Sequence, residues 1–140
     1  MGDCARRRPA VAPLEIEDRA QVVLHRARER LGLAHGFING RSFFYARYPI
    51  RVRRAEPVRV HLANLTEFDL VNSLHLHGDF FRYQPTGTGD HWEYTDTVVQ
   101  CQGQRGVLEI EFANTGTFMF HAHQSEFAEL GWMGFFEVEG

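Results

Sequence analysis

Hydrophobic and polar residues alternate with a period of two through much of the chain after residue 56. Val58, Val60 and Leu62 alternate with polar or small neighbours, and the same pattern recurs over residues 108–113 and 118–123. This period is typical of a β-strand that turns one face to a core. Several short strands separated by turns rich in glycine and asparagine predict an all-β sandwich or barrel.

One earlier segment has a different pattern. Residues 14–33 carry apolar residues at helical spacing, with Asp18 before them and Gly32 after them. Capping residues at those places favour a helix. A short buried strand at Gln21–His25 is the alternative.

The length of 140 residues and the hydrophobic content of 44% suit one domain with a real core. We predict an N-terminal extension over residues 1–35, partly disordered or helical, followed by one domain over 36–140. The arginine- and proline-containing start, residues 1–13, is the disordered part. Residues 124–131 interrupt the alternation and predict a short helix, and residues 132–139 return to a strand pattern.

Charge and cysteine content exclude several classes of function. The net charge is −3, and the arginines of the first third lack the interleaved aromatic residues of a nucleic-acid platform, so we expect a solvated surface and no nucleic-acid partner. Cys4 and Cys101 suit neither a disulfide framework nor a thiolate metal site. No apolar run reaches the roughly 20 residues of a membrane span, and the start has no signal-peptide pattern.

Two histidine pairs are the strongest chemical signal. His75 and His77 are two residues apart, as are His121 and His123. On an extended strand each pair projects to one face. Converging imidazoles without a thiolate suit copper or zinc better than magnesium or calcium. The alternative is that these rings only form hydrogen bonds within a sheet.

The other reactive residues give weaker signals. Ser125 and Cys101 lack the sequence context of a catalytic nucleophile, so hydrolase chemistry is unsupported. Four further histidines have no partner at ligand spacing, and we expect surface roles for them: His25, His35, His61 and His91.

From Phe37 to Val138 the chain resembles the last cupredoxin domain of a laccase-type multicopper oxidase. The matching segments, in the family's order, are INGRSF, PVRVHLANLTE, SLHLHG, YTDTV, CQGQRG, GTFMFHAH and LGWMGFFEVE. The likeness is to the second domain of two-domain bacterial and archaeal members, whose electron-entry copper lies in the other domain. It implies a cupredoxin-like Greek-key β-sandwich or barrel with a short helix near the C-terminus.

The resemblance implies that this domain lacks type 1, or blue, copper. The family's positions for its type 1 ligands hold Asn72, Ala122, Phe127 and Trp132. None of these side chains supplies the thiolate or the imidazoles that a blue copper site needs. Electrons would therefore have to enter from a type 1 copper elsewhere.

The resemblance places His75, His77, His121 and His123 at ligand positions of the trinuclear type 2/type 3 copper cluster. His75 would hold the type 2 copper, and the other three would share the type 3 pair. In the family two cupredoxin domains each contribute half of the ligands. We therefore expect a partner domain or subunit carrying the remaining ligands and a type 1 copper.

The implied reaction is oxidation of a small reducing substrate coupled to reduction of O2 to water. Glu126, Glu129 and Asp96 are candidate proton-relay residues because they lie close to the histidine motifs in sequence. We expect an isolated monomer to be inactive and the chain to form a homo-oligomer. Members of the parent family commonly act in the periplasm or after secretion.

Two other interpretations stay open at the sequence level. The chain could be a single-domain copper- or zinc-binding protein that is not an enzyme. It could also be an oligomeric structural cupredoxin whose histidines bind no metal. A copper nitrite reductase is a weaker alternative, since its type 2 site needs fewer histidines per domain.

Overall fold

The computed structural model describes residues 20–28, 34–66 and 69–140. These residues form eleven strands and two short helices, which follow along the chain as β1 (Ala20–Arg28), β2 (Ala34–Ile38), α1 (Phe44–Arg47), β3 (Ile50–Arg53), β4 (Pro57–Asn64), β5 (Val71–Leu76), β6 (Phe81–Pro85), β7 (Glu93–Thr95), β8 (Thr97–Cys101), β9 (Arg105–Glu111), β10 (Gly116–His121), α2 (Ser125–Glu129) and β11 (Met133–Glu139).

The strands form two sheets. One has six strands in the order β2-β1-β4-β9-β6-β7, and the other has five in the order β3-β11-β10-β5-β8. Most neighbours are antiparallel, while β1 with β4 and β3 with β11 are parallel. The all-β, cupredoxin-like sandwich predicted from the sequence is confirmed.

The core lies between the sheets because each strand turns alternate side chains inward. Val58, Val60 and Leu62 of β4 are 1–2% exposed, and the residues between them are more exposed. Side chains of the facing sheet meet them in one cluster. Its buried members are Ile38, Val52, Val58, Val60, Leu62, Leu74, Leu76, Phe81, Tyr83, Val98, Leu108, Ile110, Phe112, Phe120, Ala122, Phe127, Trp132, Phe136 and Val138.

The helix predicted over residues 14–33 is wrong where the structure describes that segment. Ala20–Arg28 is strand β1, which lies between β2 and β4 in the six-stranded sheet. Its Val23 is in register with Ala63 of β4. Residues 20–24 pair with β4 and residues 24–28 pair with β2, and this pairing outweighs the weak local helical preference. The alternative of a strand at Gln21–His25 was the better interpretation.

The predicted boundary between an extension and a domain at residue 36 remains a prediction. The sheet already includes β1, and the expected disorder of residues 1–13 lies outside the described residues.

The predicted short helix near the C-terminus is confirmed as α2. Helix α1 was not predicted, since its aromatic sequence reads as a strand. Asn39 and Gly40 form a tight turn after β2, with φ of 53° and 75°. Positive φ at both central residues is the reason for this residue pair in a tight turn. Neither helix among the described residues has the length and apolar character to cross a lipid bilayer.

Candidate metal centre

Strands β5 and β10 bring the two histidine pairs together. The strands are antiparallel neighbours, with His121 directly opposite His75. Because Leu74, Leu76 and Phe120 fill the core, the histidines between them project from the opposite, outer face of the five-stranded sheet. We call His75, His77, His121 and His123 the histidine cluster.

The four imidazoles lie close to one another. The ring centroid of His75 is 4.7 Å from that of His77, 5.5 Å from that of His121 and 5.3 Å from that of His123. Ring nitrogens of His75, His77 and His121 all lie within 4.8 Å of one another. Three nitrogen donors at this spacing can be drawn onto one ion, or shared between neighbouring ions.

Backbone carbonyls fix the tautomers of two rings. His121 Nδ1 lies 2.6 Å from the carbonyl oxygen of Ala122, and His75 Nδ1 lies 3.1 Å from that of Asp96. A carbonyl oxygen can only accept, so each Nδ1 carries the proton and donates. In a neutral ring the Nε2 lone pair is then available to a metal.

His77 completes the group by a direct ring-to-ring contact. Its Nε2 lies 2.7 Å from Nε2 of His121. Since Nε2 of His121 is the acceptor, His77 donates this hydrogen bond in the neutral, metal-free protein. Slight desolvation by the neighbouring groups, followed by the fields of His121, His75 and His123, lowers the pKa of His77 below its ordinary value. The ring is therefore more often neutral near pH 7, which is the form that binds metals.

His123 is held differently. It lies beyond the end of β10, its side chain is exposed, and its backbone N–H donates to Ser73 Oγ at 2.9 Å. The ring centroid distance from His121 is 6.2 Å. The spacing of ring nitrogens groups the other three histidines without it.

The proposed proton-relay residues lie in different places. Asp96 is next to the histidine cluster, with a carboxylate oxygen 4.0 Å from His75 Nδ1. Glu126 and Glu129 lie on α2 and are exposed. Their part in proton transfer stays a prediction.

The four positions that hold type 1 copper in the resemblance are filled by a packed group. Asn72, Ala122, Phe127 and Trp132 are all 0–7% exposed. The rings of Phe127 and Trp132 pack edge to face at 5.0 Å, and Ala122 N–H donates to the Trp132 carbonyl at 3.0 Å. Asn72 Oδ1 accepts from the N–H of Ser73 at 2.7 Å. The group contains neither a thiolate nor an imidazole.

The remaining histidines lie apart from this centre where the structure describes them. His61 is exposed on β4 of the other sheet, and His91 is exposed in a loop near Glu93. The side chains of His25 and His35 lie outside the described residues.

Sequence reasoning did not find Thr97 and Ser73 as supporting residues. Thr97 Oγ1 lies 2.8 Å from His75 Nδ1, and Ser73 Oγ contacts the backbone of His123. Thr97 belongs to the YTDTV segment, so that match was a possible signal. Ser73 gave no signal, because its role depends on how β5 and β10 pair.

The donor set fits copper. It consists of imidazoles and contains no thiolate. In two of the rings, those of His75 and His121, the hydrogen bond at Nδ1 leaves the Nε2 lone pair available. Neutral imidazole with a hydrogen-bonded second nitrogen is the usual ligand of copper and zinc, whereas magnesium and calcium prefer oxygen. The described fold and this face together define a cupredoxin-like domain with a candidate histidine metal site.

Comparison with known proteins identifies the family. The family model described as multicopper oxidase matches residues 14–140. The chain belongs to the multicopper oxidase family. A solved multicopper oxidase shares 48% identity with it and a TM-score of 0.80, over 87% of this chain and 44% of that one. The multicopper oxidase mco of Staphylococcus aureus is 29% identical over an alignment of 107 residues, which covers 72% of this chain and 24% of that protein.

Other solved structures share the fold alone. A copper nitrite reductase from Nitrosomonas europaea has a TM-score of 0.83 at 16% identity, over 95% of this chain and 53% of that one. The chain spans about a quarter of the S. aureus relative and less than half of the solved oxidase.

Proposed function

We propose that this chain is a copper-binding domain of a laccase-like multicopper oxidase that supplies half of a type 2/type 3 copper cluster. Its ligands are His75, His77, His121 and His123. The observation that supports this most directly is the convergence of three ring nitrogens within 4.8 Å on the outer face of the five-stranded sheet. By the resemblance, His75 holds the type 2 copper and the other three share the type 3 pair.

Bound copper supplies the one-electron chemistry and the reduction of O2 to water. The chain holds its imidazoles ready for the metal. His75 and His121 present their Nε2 lone pairs because Asp96 and Ala122 carbonyls hold their Nδ1 protons. His77 would bind a metal through Nε2 after a change of tautomer, in which the proton that Nε2 donates to His121 is replaced by one on Nδ1, and its lowered pKa keeps the ring neutral. Asp96, with Glu126 and Glu129 further out, relays protons.

A partner completes the site. His77 and His123 are exposed, so the histidine cluster faces outward and can meet a second set of imidazoles. That set belongs to another cupredoxin domain or to another subunit, including a second copy of this chain in a homo-oligomer. The partner also brings the type 1 copper and the pocket for a small reducing substrate. The isolated monomer is inactive as an oxidase.

A single-ion site is the second candidate function. The group of His75, His77 and His121 is sufficient to hold one copper or zinc ion without a partner. The chain would then be a metal-binding protein rather than half of an oxidase. The number of ions per chain distinguishes the two functions.

Alanine variants test whether the histidine cluster binds copper. We expect the combined change His121→Ala and His123→Ala to abolish copper binding in calorimetric titration and to leave the sandwich folded by circular dichroism. His91→Ala is the matched control, because His91 is exposed and lies in a loop at the end of the six-stranded sheet. Unchanged copper binding in the double variant would overturn the proposal.

A further inference from the structure

Ser73 is a buried hydroxyl next to the histidine cluster. It lies on β5 two residues before His75, so both side chains project from the same sheet face. Ser73 is nevertheless only 6% exposed. Its Oγ accepts a hydrogen bond from the backbone N–H of His123 at 2.9 Å and donates one to Oε1 of Gln124 at 2.6 Å.

This contact replaces strand pairing at the point where β10 leaves β5. The ladder between the two strands ends at the pair His121 and His75. Ala122 N–H turns to the carbonyl of Trp132 on the other side. The next N–H, that of His123, has the Ser73 hydroxyl as its partner.

Gln124 sets the direction of the Ser73 hydroxyl. Its Oε1 accepts the Ser73 hydrogen, while its Nε2 donates to the carbonyl of Val71 at 3.4 Å. With its hydrogen engaged, the Ser73 oxygen can only accept from His123. The three side-chain and backbone groups therefore form one directed chain of hydrogen bonds.

We propose that Ser73 is a positioning residue for His123, and that it decides whether the fourth imidazole joins the copper site. This inference rests on the proposed function, because it concerns the same site. His123 has an exposed side chain and lies past the last paired residue of β10. The Ser73 hydroxyl holds the backbone of His123. From that backbone position, the centroid of the His123 ring lies 5.3 Å from that of the His75 ring.

Copper titration of the full chain tests the inference. Loss of a group that orients a metal ligand typically weakens metal binding about 10–100-fold, so we expect Ser73→Ala to weaken copper(II) binding about 10-fold. Ser125→Ala is the matched control, since it removes an exposed serine hydroxyl two residues beyond His123. It should leave the affinity unchanged.

Double variants show whether Ser73 acts through His123. Ser73→Ala should have no further effect when His123 is already alanine, and it should keep its full effect when His77 is alanine. An unchanged affinity in Ser73→Ala would overturn the inference. So would an equal loss in the His123→Ala background, because Ser73 would then act on the fold in general.

A metal-free measurement separates this inference from the proposed function. Amide hydrogen exchange of His123 should become faster in Ser73→Ala, while exchange at His121, which lies in the ladder, stays the same. If the wild-type chain binds no copper, the proposed function fails, and the exchange rate still decides whether Ser73 holds His123. An unchanged exchange rate at His123 would contradict the positioning role.

Discussion

The chemistry of the site is set at the level of single atoms by backbone carbonyls. Carbonyl oxygens of Asp96 and Ala122 hold the Nδ1 protons of His75 and His121. Because a carbonyl oxygen can only accept, it fixes which ring nitrogen of each histidine carries the proton. The spacing of the histidines predicted their convergence, but it could not show which oxygens orient them.

The contact between Thr97 and His75 gives a prediction for one side chain. Thr97→Val keeps the shape but removes the hydroxyl 2.8 Å from His75 Nδ1. We expect copper affinity to fall about 10-fold, at the low end for an orienting group, because the Asp96 carbonyl remains. Calorimetric titration measures this. Thr117→Val, an exposed position at the far end of β10, should have no effect; equal losses in both variants would refute the role of Thr97.

The lowered pKa of His77 predicts a dependence of stability on pH. In the unfolded chain His77 takes up a proton near its ordinary pKa of 6.5, whereas the folded protein resists it. The metal-free protein should therefore lose stability as the pH falls below 6.5, until the folded form is also protonated. Urea unfolding with a chelator present, at about pH 7.5 and about pH 5.5, measures this. His77→Asn should lose less stability over that interval, and an equal loss would contradict the prediction.

At the level of elements, the geometry of the histidine cluster depends more on which strands are neighbours in the sheet than on which residues form strands. The period of two predicted the strands that carry the histidines, and the sequence placed α2 after them. It did not predict that β5 and β10 are neighbours with His75 opposite His121, since register depends on contacts far apart in the chain. The same limit explains the wrong helix at residues 20–28. Those residues are a strand because β2 and β4 lie on either side.

Close packing of β11 on β10 predicts a strong effect at Gly134. A Cβ atom there would lie 2.5 Å from both Phe120 Cζ and Tyr45 Cβ. Gly134→Ala should therefore lower the free energy of unfolding by about 1–3 kcal/mol, as overpacked cores do. Gly89→Ala is the control, because its nearest atom would be 3.8 Å away. Urea denaturation of both compares them; equal stability would show that β10 and β11 can move apart easily.

At the level of the whole molecule, the sandwich carries a histidine cluster that faces outward and that we propose as a metal site. The histidine cluster projects from the sheet face opposite the core, and the positions of type 1 ligands in the resemblance are packed with Asn72, Ala122, Phe127 and Trp132. Family and fold class were predictable because the motifs occur in a specific order. The identity of the proposed partner was not predictable, since the four histidines of this chain do not specify the surface that would meet them.

Native mass spectrometry of the copper-loaded chain tests the central claim most directly, because it gives the number of chains and of copper ions in each particle. If this chain supplies half of a type 2/type 3 cluster, copper should be found in assemblies of two or more half-sites, with three ions for each completed pair. Supplying the partner domain should produce the same ratio. One ion in a monomer would instead support the single-ion function, and particles without copper would contradict both.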